Sequence, residues 1–111
     1  MGLLDGKTAI ITGSGRGIGA AAAKLFAEHG ANVVVTDIDP APAEETAQAI
    51  RAANGKALSL VCDVTKDADI EELIGQTVNT FGAIDILVNN AGYTWDGMIH
   101  KMTDAQWDAM L

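Results

Sequence analysis

The stretch Thr12–Gly19, reading Thr-Gly-Ser-Gly-Arg-Gly-Ile-Gly, leaves this chain few ways to fold. It follows the apolar run Thr8-Ala9-Ile10-Ile11, which reads as a short buried strand. It precedes a segment in which Ile18, Ala21, Ala22, Leu25 and Phe26 recur at the spacing of one helix face. Glycine in such a strand-to-helix turn permits positive φ and lets a ligand approach the backbone, while the helix start offers unpaired N–H groups and a positive dipole end. Together these make a diphosphate cradle. A P-loop is excluded, because no Gly-Lys-Ser/Thr closes the motif. Two glycine registers fit. Gly15, Gly17 and Ala20 match the common dinucleotide spacing with its permitted final alanine, and Gly13, Gly17 and Gly19 match Gly-x-x-x-Gly-x-Gly.

The rest of the chain alternates strand and helix without a linker or repeat. The first strand spans about Lys7 to Thr12, and its helix ends at His29-Gly30, with Gly30 as the stop and His29 a structural residue at the dipole's negative end. A second strand, Ala31 to Thr36, holds the run Val33-Val34-Val35 expected of a parallel strand covered on both faces. Asp39-Pro40 reads as a helix cap followed by proline at the first helical position. That helix runs through Ala43, Ala47 and Ile50 to Asn54-Gly55. A third strand follows at Ala57 to Cys62. A third helix starts near Asp67, carries the stripe Ile70, Leu73, Ile74, Thr77, Val78 and Phe81, and stops at Gly82. The fourth strand, Ala83 to Val88, leads into Asn89-Asn90-Ala91-Gly92. A loop with Tyr93, Trp95, Gly97 and His100 then meets a capping box at Thr103-Asp104-Ala105-Gln106, which opens a further helix with Trp107, Met110 and Leu111.

This order predicts an α/β fold with a doubly wound parallel sheet, a single domain over residues 1–111 that ends just into the helix after the fourth strand. Such sheets bind ligands at the carboxyl ends of their strands. The special residues fall there: Gly13 after the first strand, Asp37 after the second, Asp63 after the third, Asn89-Asn90 after the fourth. Asp37 lies 18 residues beyond Gly19, near the spacing at which a carboxylate accepts hydrogen bonds from the adenosine ribose. It would repel a 2′-phosphate, which favours NAD over NADP, whereas Arg16 in the loop could pair with one. The direct repulsion at Asp37 is weighted more heavily. Asp63 either meets the adenine edge or turns the chain, and Asn89 and Asn90 either touch the ligand or stitch the fourth strand to the neighbouring loop.

Composition narrows the partners. A net charge of −8 argues against nucleic acid and against an anionic membrane surface, both of which call for basic patches. One cysteine, Cys62, allows no disulfide framework and no cysteine-rich metal site; in an apolar strand it reads as an inert buried thiol. No apolar run reaches membrane-spanning length, no signal segment opens the sequence, and Gly6 breaks the myristoylation pattern. The expectation is a cytoplasmic protein.

In this order and spacing, Thr12-Gly13-x-x-x-Gly17-Ile18-Gly19, Asp63-Val64 and Asp85-Ile86-Leu87-Val88-Asn89-Asn90-Ala91-Gly92 resemble the classical short-chain dehydrogenase/reductases, from the Leu4-Asp5-Gly6-Lys7 lead-in to Trp107. The resemblance implies the N-terminal, cofactor-binding half of a Rossmann fold, with the Gly13-Gly17-Gly19 register. It places Asp63-Val64 by the adenine and Asn90-Ala91-Gly92 by the ribose and nicotinamide side. The residues expected to bind cofactor are Gly13, Ser14, Arg16, Gly17, Ile18, Gly19, Asp37, Ile38, Asp63, Val64, Asn90, Ala91 and Gly92, with NAD preferred to NADP and no metal.

In that family catalysis rests on a serine, a Tyr-x-x-x-Lys pair and a helix asparagine that follow the segment present here. Tyr93 has Gly97, not lysine, four residues later. Without a phenol and ammonium pair there is no general acid beside the developing alkoxide, so these 111 residues are not expected to perform the family's hydride transfer themselves. No catalytic residue is assigned. Two readings follow. One is the cofactor half of an oxidoreductase that interconverts alcohols with ketones or reduces 3-oxoacyl thioesters in a full-length parent. The other is a non-catalytic dinucleotide-binding or interaction module. A methyltransferase with a similar glycine loop is a distant third, disfavoured by Asn89-Asn90-Ala91-Gly92. A fourth strand with nothing beside it would leave an open sheet edge, so association into a homo-oligomer is expected.

Overall fold

The computed structural model describes residues 2–90. Within them the chain runs β1 (Thr8–Ile11), α1 (Gly17–Glu28), β2 (Asn32–Asp37), α2 (Pro40–Ala52), β3 (Lys56–Val61), α3 (Asp67–Phe81) and β4 (Ile86–Val88). Among the described residues the four strands form one parallel sheet in the order β3-β2-β1-β4. The chain winds outward from β1 to β3 and then crosses back to the other side of β1. That reversal creates the switch point between β1 and β4, the place where an open α/β sheet leaves a crevice.

Register explains why the strand sequences are apolar throughout. Ile10 pairs with Val34 and with Leu87, and Val34 with Leu58; this row faces α3 and packs with Ile70, Leu73, Ile74 and Ile84. The neighbouring rows, Ala57 with Val33 and Val35 with Ile11 and Val88, face α1 and α2, against Ala23, Ala43, Ala47 and Ile50. Both faces of the sheet are covered, so side chains of either parity must be apolar. The α3 stripe is borne out, with Ile70, Leu73, Ile74 and Thr77 buried.

The stops fall where the residue types put them. Gly30 and Gly82 take φ of 94° and 88°, and Asn54 takes 69°, the left-handed conformation that ends a helix at little steric cost for glycine or asparagine. His29 sits at the C-cap of α1, and its carbonyl accepts from the Leu4 N–H, which ties the N-terminal lead-in to the helix end.

Two expectations are corrected. The buried face of α1 is Gly19, Ala20 and Ala23, while Ile18 and Leu25 are exposed (83% and 52%), Ala21 is exposed too, and Ala22 and Phe26 are only partly buried. The helix lies so close to the turn before it that only the smallest residues fit between, and this leaves Ile18 and Leu25 facing outward. The fourth strand is shorter than expected. Ladder pairing begins at Ile86, because Asp85 instead brackets Thr8: its N–H donates to the Thr8 carbonyl (2.9 Å), and its Oδ2 accepts from the Thr8 N–H (2.9 Å). Ala91, Gly92, Tyr93, Trp95, His100 and the helix expected from Thr103 lie outside the described residues. No helix among the described residues is long and apolar enough to cross a membrane.

Candidate functional site

The turn between β1 and α1 is built from the glycines in three distinct ways. Gly13 and Gly17 hold φ of 62° and 60°, a conformation in which a side chain would be strained. Gly19 is inside α1, yet a Cβ there would run into the Gly13 carbonyl and lie 2.8 Å from Asn90 Nδ2. Gly15 also meets the start of α2 closely, with its ideal Cβ 2.8 Å from the Ala43 nitrogen and from Asp37 Oδ2. Gly13, Gly15, Gly17 and Gly19 therefore each answer a geometric need of this turn, and Ala20 packs as a buried helix residue.

Hydrogen bonds fix the turn from below. Ser14 is fully buried: its hydroxyl donates to the Ile11 carbonyl (2.6 Å) and accepts from the Thr36 N–H (2.9 Å), and its own N–H donates to the Thr36 carbonyl (2.8 Å). Its side chain holds the scaffold rather than the surface of the crevice. Thr46, reaching up from α2, donates to the Gly15 carbonyl (2.9 Å). Asn90 Nδ2 donates to the Gly13 carbonyl (3.2 Å), and the Thr12 hydroxyl donates to Asn89 Oδ1 (3.1 Å). The stitching role of both asparagines is thus present. Ala20 N–H donates to the Arg16 carbonyl (3.2 Å), so helix geometry leaves the amides of Gly17, Ile18 and Gly19 as the open first turn of α1, with no side-chain cap from Arg16.

Asp37 closes the second side. It is 5% exposed at the end of β2, and its Oδ1 accepts from Arg16 Nη2 (3.2 Å) and from the Asp39 N–H (3.3 Å). Burial works against its charge. The hydrogen bonds from Arg16 and the Asp39 backbone, with the guanidinium charge, outweigh that and hold the carboxyl below its ordinary 3.8. Asp37 charge therefore adds stability that is fully present above the ordinary carboxylate range and is lost as pH falls through the lowered folded value. Urea midpoints are expected to drop between about pH 5 and pH 3, and Asp37→Asn to flatten part of that drop; an unchanged acid limb in the variant would contradict the assignment.

Beyond Asp37, a cavity of about 150 Å³ opens between the ends of β1, β2 and β3. Gly13, Thr36, Asp37 and Ile38 line one side, with Cys62, Asp63 and Val64 on the other. Ile38 is exposed at 59%, a bare apolar side chain at the mouth. The Thr36 hydroxyl is buried in this lining, beside the Cys62 thiol. Burial, aided by the carboxylates of Asp69 and Asp63, pushes the Cys62 thiol up to about 11, so it stays protonated and unreactive, as its apolar setting suggests. Asp63 Oδ1 accepts from the Thr65 hydroxyl (2.6 Å) and N–H (2.9 Å), which hold its carboxyl below the ordinary range. The turn-forming role of Asp63 is therefore real, and the same residue reaches the cavity wall.

The site thus combines a helix start with open first-turn amides and no side-chain cap, a buried carboxylate one strand over, and a partly apolar cavity a further strand away. The model of the short chain dehydrogenase family matches residues 7–111. The chain belongs to the short chain dehydrogenase family. Among relatives of this family it is 45% identical to an uncharacterized oxidoreductase of Thermotoga maritima, over 94% of this chain and 41% of that protein. It is 38% identical to the 3-oxoacyl-acyl-carrier-protein reductase of Chlamydia trachomatis, over 99% of this chain and 45% of that one. A solved 7α-hydroxysteroid dehydrogenase, complexed with NADH and 7-oxo glycochenodeoxycholic acid, superposes with a TM-score of 0.81 at 32% identity, covering 96% of this chain and 49% of that one. The chain spans less than half the length of these relatives, and its parallel sheet with helices on both faces is the Rossmann-type fold of the family.

Sequence reasoning missed three residues that brace or border this crevice. Thr46 and Thr36 act from inside α2 and β2, where nothing in their spacing separates them from other buried threonines. Asp39 has the sequence context of a helix cap. It occupies the N-cap position with Pro40 at the first helical position, but its side chain makes no capping bond. Its Oδ2 instead accepts from Arg16 Nη2 at 2.7 Å.

Proposed function

We propose that this chain is the cofactor-binding half of an NAD(H)-dependent oxidoreductase. The single observation that carries the reading is the placement of buried Asp37 beside the Gly13–Gly19 turn, its Oδ2 only 2.8 Å from where a Gly15 Cβ would stand. A backbone cradle for a diphosphate and a carboxylate for a ribose diol sit side by side, in the order the two groups have in an adenine dinucleotide. The residues fit that ligand on further counts: Gly15 and Gly19 let the turn, α1 and the start of α2 pack closely around the cradle, and the cavity walled by Ile38 and Val64 offers apolar faces with the Thr36 side chain between.

In this reading the amides of Gly17, Ile18 and Gly19 hold the diphosphate, Asp37 accepts from the ribose hydroxyls, and Ile38, Asp63 and Val64 border the adenine. Ser14 and Arg16 support the turn, and Asn90, with Ala91 and Gly92, belongs to the nicotinamide side. The bound nicotinamide would supply a hydride for carbonyl reduction, or accept one from an alcohol. Substrates in a full-length parent are small carbonyl compounds or 3-oxoacyl thioesters, in keeping with the relative that reduces a 3-oxoacyl carrier protein. Partners in this reading are the dinucleotide, a second copy of the chain, and neither nucleic acid nor membrane, in a cytoplasmic setting.

Calorimetric titration of the 111-residue chain with NADH, and separately with NADPH, tests the proposal. Saturable binding that favours NADH is expected, because a 2′-phosphate would meet the Asp37 carboxylate. Tighter binding of NADPH would overturn the NAD assignment, and no binding of either would overturn the cofactor reading for this chain.

A further inference from the structure

Arg16 carries the one feature of the loop that argues for a 2′-phosphate, and the structure shows where its charge is spent. Its Nη2 donates to two carboxylates, Asp39 Oδ2 at 2.7 Å and Asp37 Oδ1 at 3.2 Å. The shorter bond goes to Asp39, the residue not needed for the ribose. Asp39 makes that bond instead of the capping bond its N-cap position offers. The guanidinium is 60% exposed, so nothing but these two carboxylates restrains it among the described residues. One cation and two carboxylates leave a local charge of −1 at the spot where a 2′-phosphate would lie.

We infer that Asp39 is a specificity-determining residue that holds Arg16 away from a 2′-phosphate and so enforces selection of the unphosphorylated dinucleotide. The inference rests on the dinucleotide reading above and deepens it. Asp37 alone would repel the phosphate, but an Arg16 held only by its longer, 3.2 Å contact with Asp37 would turn to the phosphate and offset that repulsion with charge-assisted hydrogen bonds. Asp39 closes that route. It acts through Arg16 and touches no ligand itself, which makes it a positioning residue.

Asp39→Asn separates these roles, because asparagine caps a helix as well as aspartate does and the fold should not suffer. Calorimetry with NADH and NADPH on wild type, Asp39→Asn, Asp39→Glu and the double variant Arg16→Ala/Asp39→Asn provides the test. Expected is a gain in NADPH affinity on the order of fivefold for Asp39→Asn, as for one exposed charge-assisted contact, with NADH affinity held within about twofold. Asp39→Glu should restore discrimination, and removing Arg16 should erase the gain, outcomes a merely structural role for Asp39 does not produce. If NADH binds all variants while NADPH affinity is unmoved by Asp39→Asn, or rises equally without Arg16, the inference is overturned and the cofactor reading stands. If wild type binds neither nucleotide, both fall together.

Discussion

Adding one methyl group at Gly19 is expected to lower the stability of this chain by about 2 kcal/mol and to weaken NADH binding more than about tenfold. The new Cβ would strike the Gly13 carbonyl and crowd Asn90 Nδ2. Neither neighbour can yield cheaply. The Gly13 carbonyl is backbone in a turn pinned by Ser14, Thr46 and Asn90. Relief requires α1 to move away from the sheet, and its first-turn amides move with it. Gly75→Ala supplies the control. Gly75 is also a helical glycine, exposed in α3 with open space around its ideal Cβ, so alanine there should stabilise by about 0.5–1 kcal/mol through propensity alone. Urea denaturation and calorimetry on the two variants read both effects. Equal behaviour of Gly19→Ala and Gly75→Ala would sink the close-packing account.

Truncating the carboxylate is the second large effect. Asp37→Ala should reduce NADH affinity about 10- to 100-fold, the loss of one or two hydrogen bonds to a charged acceptor. NADPH binding should fall less or rise, because the same change removes a repulsion and leaves Arg16 bound to Asp39 alone. The ratio of the two dissociation constants should therefore collapse towards one. Stability should change little by comparison, since the pair Asp37 makes with Arg16 involves a largely exposed guanidinium and such pairs contribute about 0–1 kcal/mol. A parallel loss of both nucleotides with the ratio intact would mean that Asp37 shapes the loop and does not read the ribose.

Most of the layer architecture is legible in the sequence because the chain repeats one physical unit. Val33-Val34-Val35 can be apolar at every position only if both faces are covered, and the observed rows through Val34 and Val35 go to opposite cores. Gly30, Gly82 and Asn54 mark helix ends because left-handed backbone is cheap there. Asp37 and Asp63 stand out because a charged residue ending an apolar strand needs a reason.

What stayed hidden depends on distances that spacing does not encode. The apolar stripe from Ile18 to Phe26 suggests one face for α1, but contact at Gly19 sets the helix so that Gly19, Ala20 and Ala23 are buried, Phe26 is only partly so, and Ile18 and Leu25 face outward. Periodicity counts hydrophobicity, and close approach is decided by size. Asp39 has the sequence neighbours of a cap, and only the position of Arg16, 23 residues earlier, draws its carboxylate elsewhere. Ser14 sits in the loop like a ligand contact, yet β2 lies near enough to claim its hydroxyl. In each case a partner remote in sequence overrides a local signal.

The most direct test of the central claim is an amide NMR titration of the chain with NADH. The account predicts saturable shifts concentrated at residues 13–19, at Asp37 and Ile38, at residues 62–64 and at Asn90, with residues on the opposite end of the sheet, such as Gly6, Asn32 and Lys56, unmoved. Saturable shifts centred elsewhere, or none at millimolar nucleotide, would contradict a preformed dinucleotide site at the carboxyl ends of these strands.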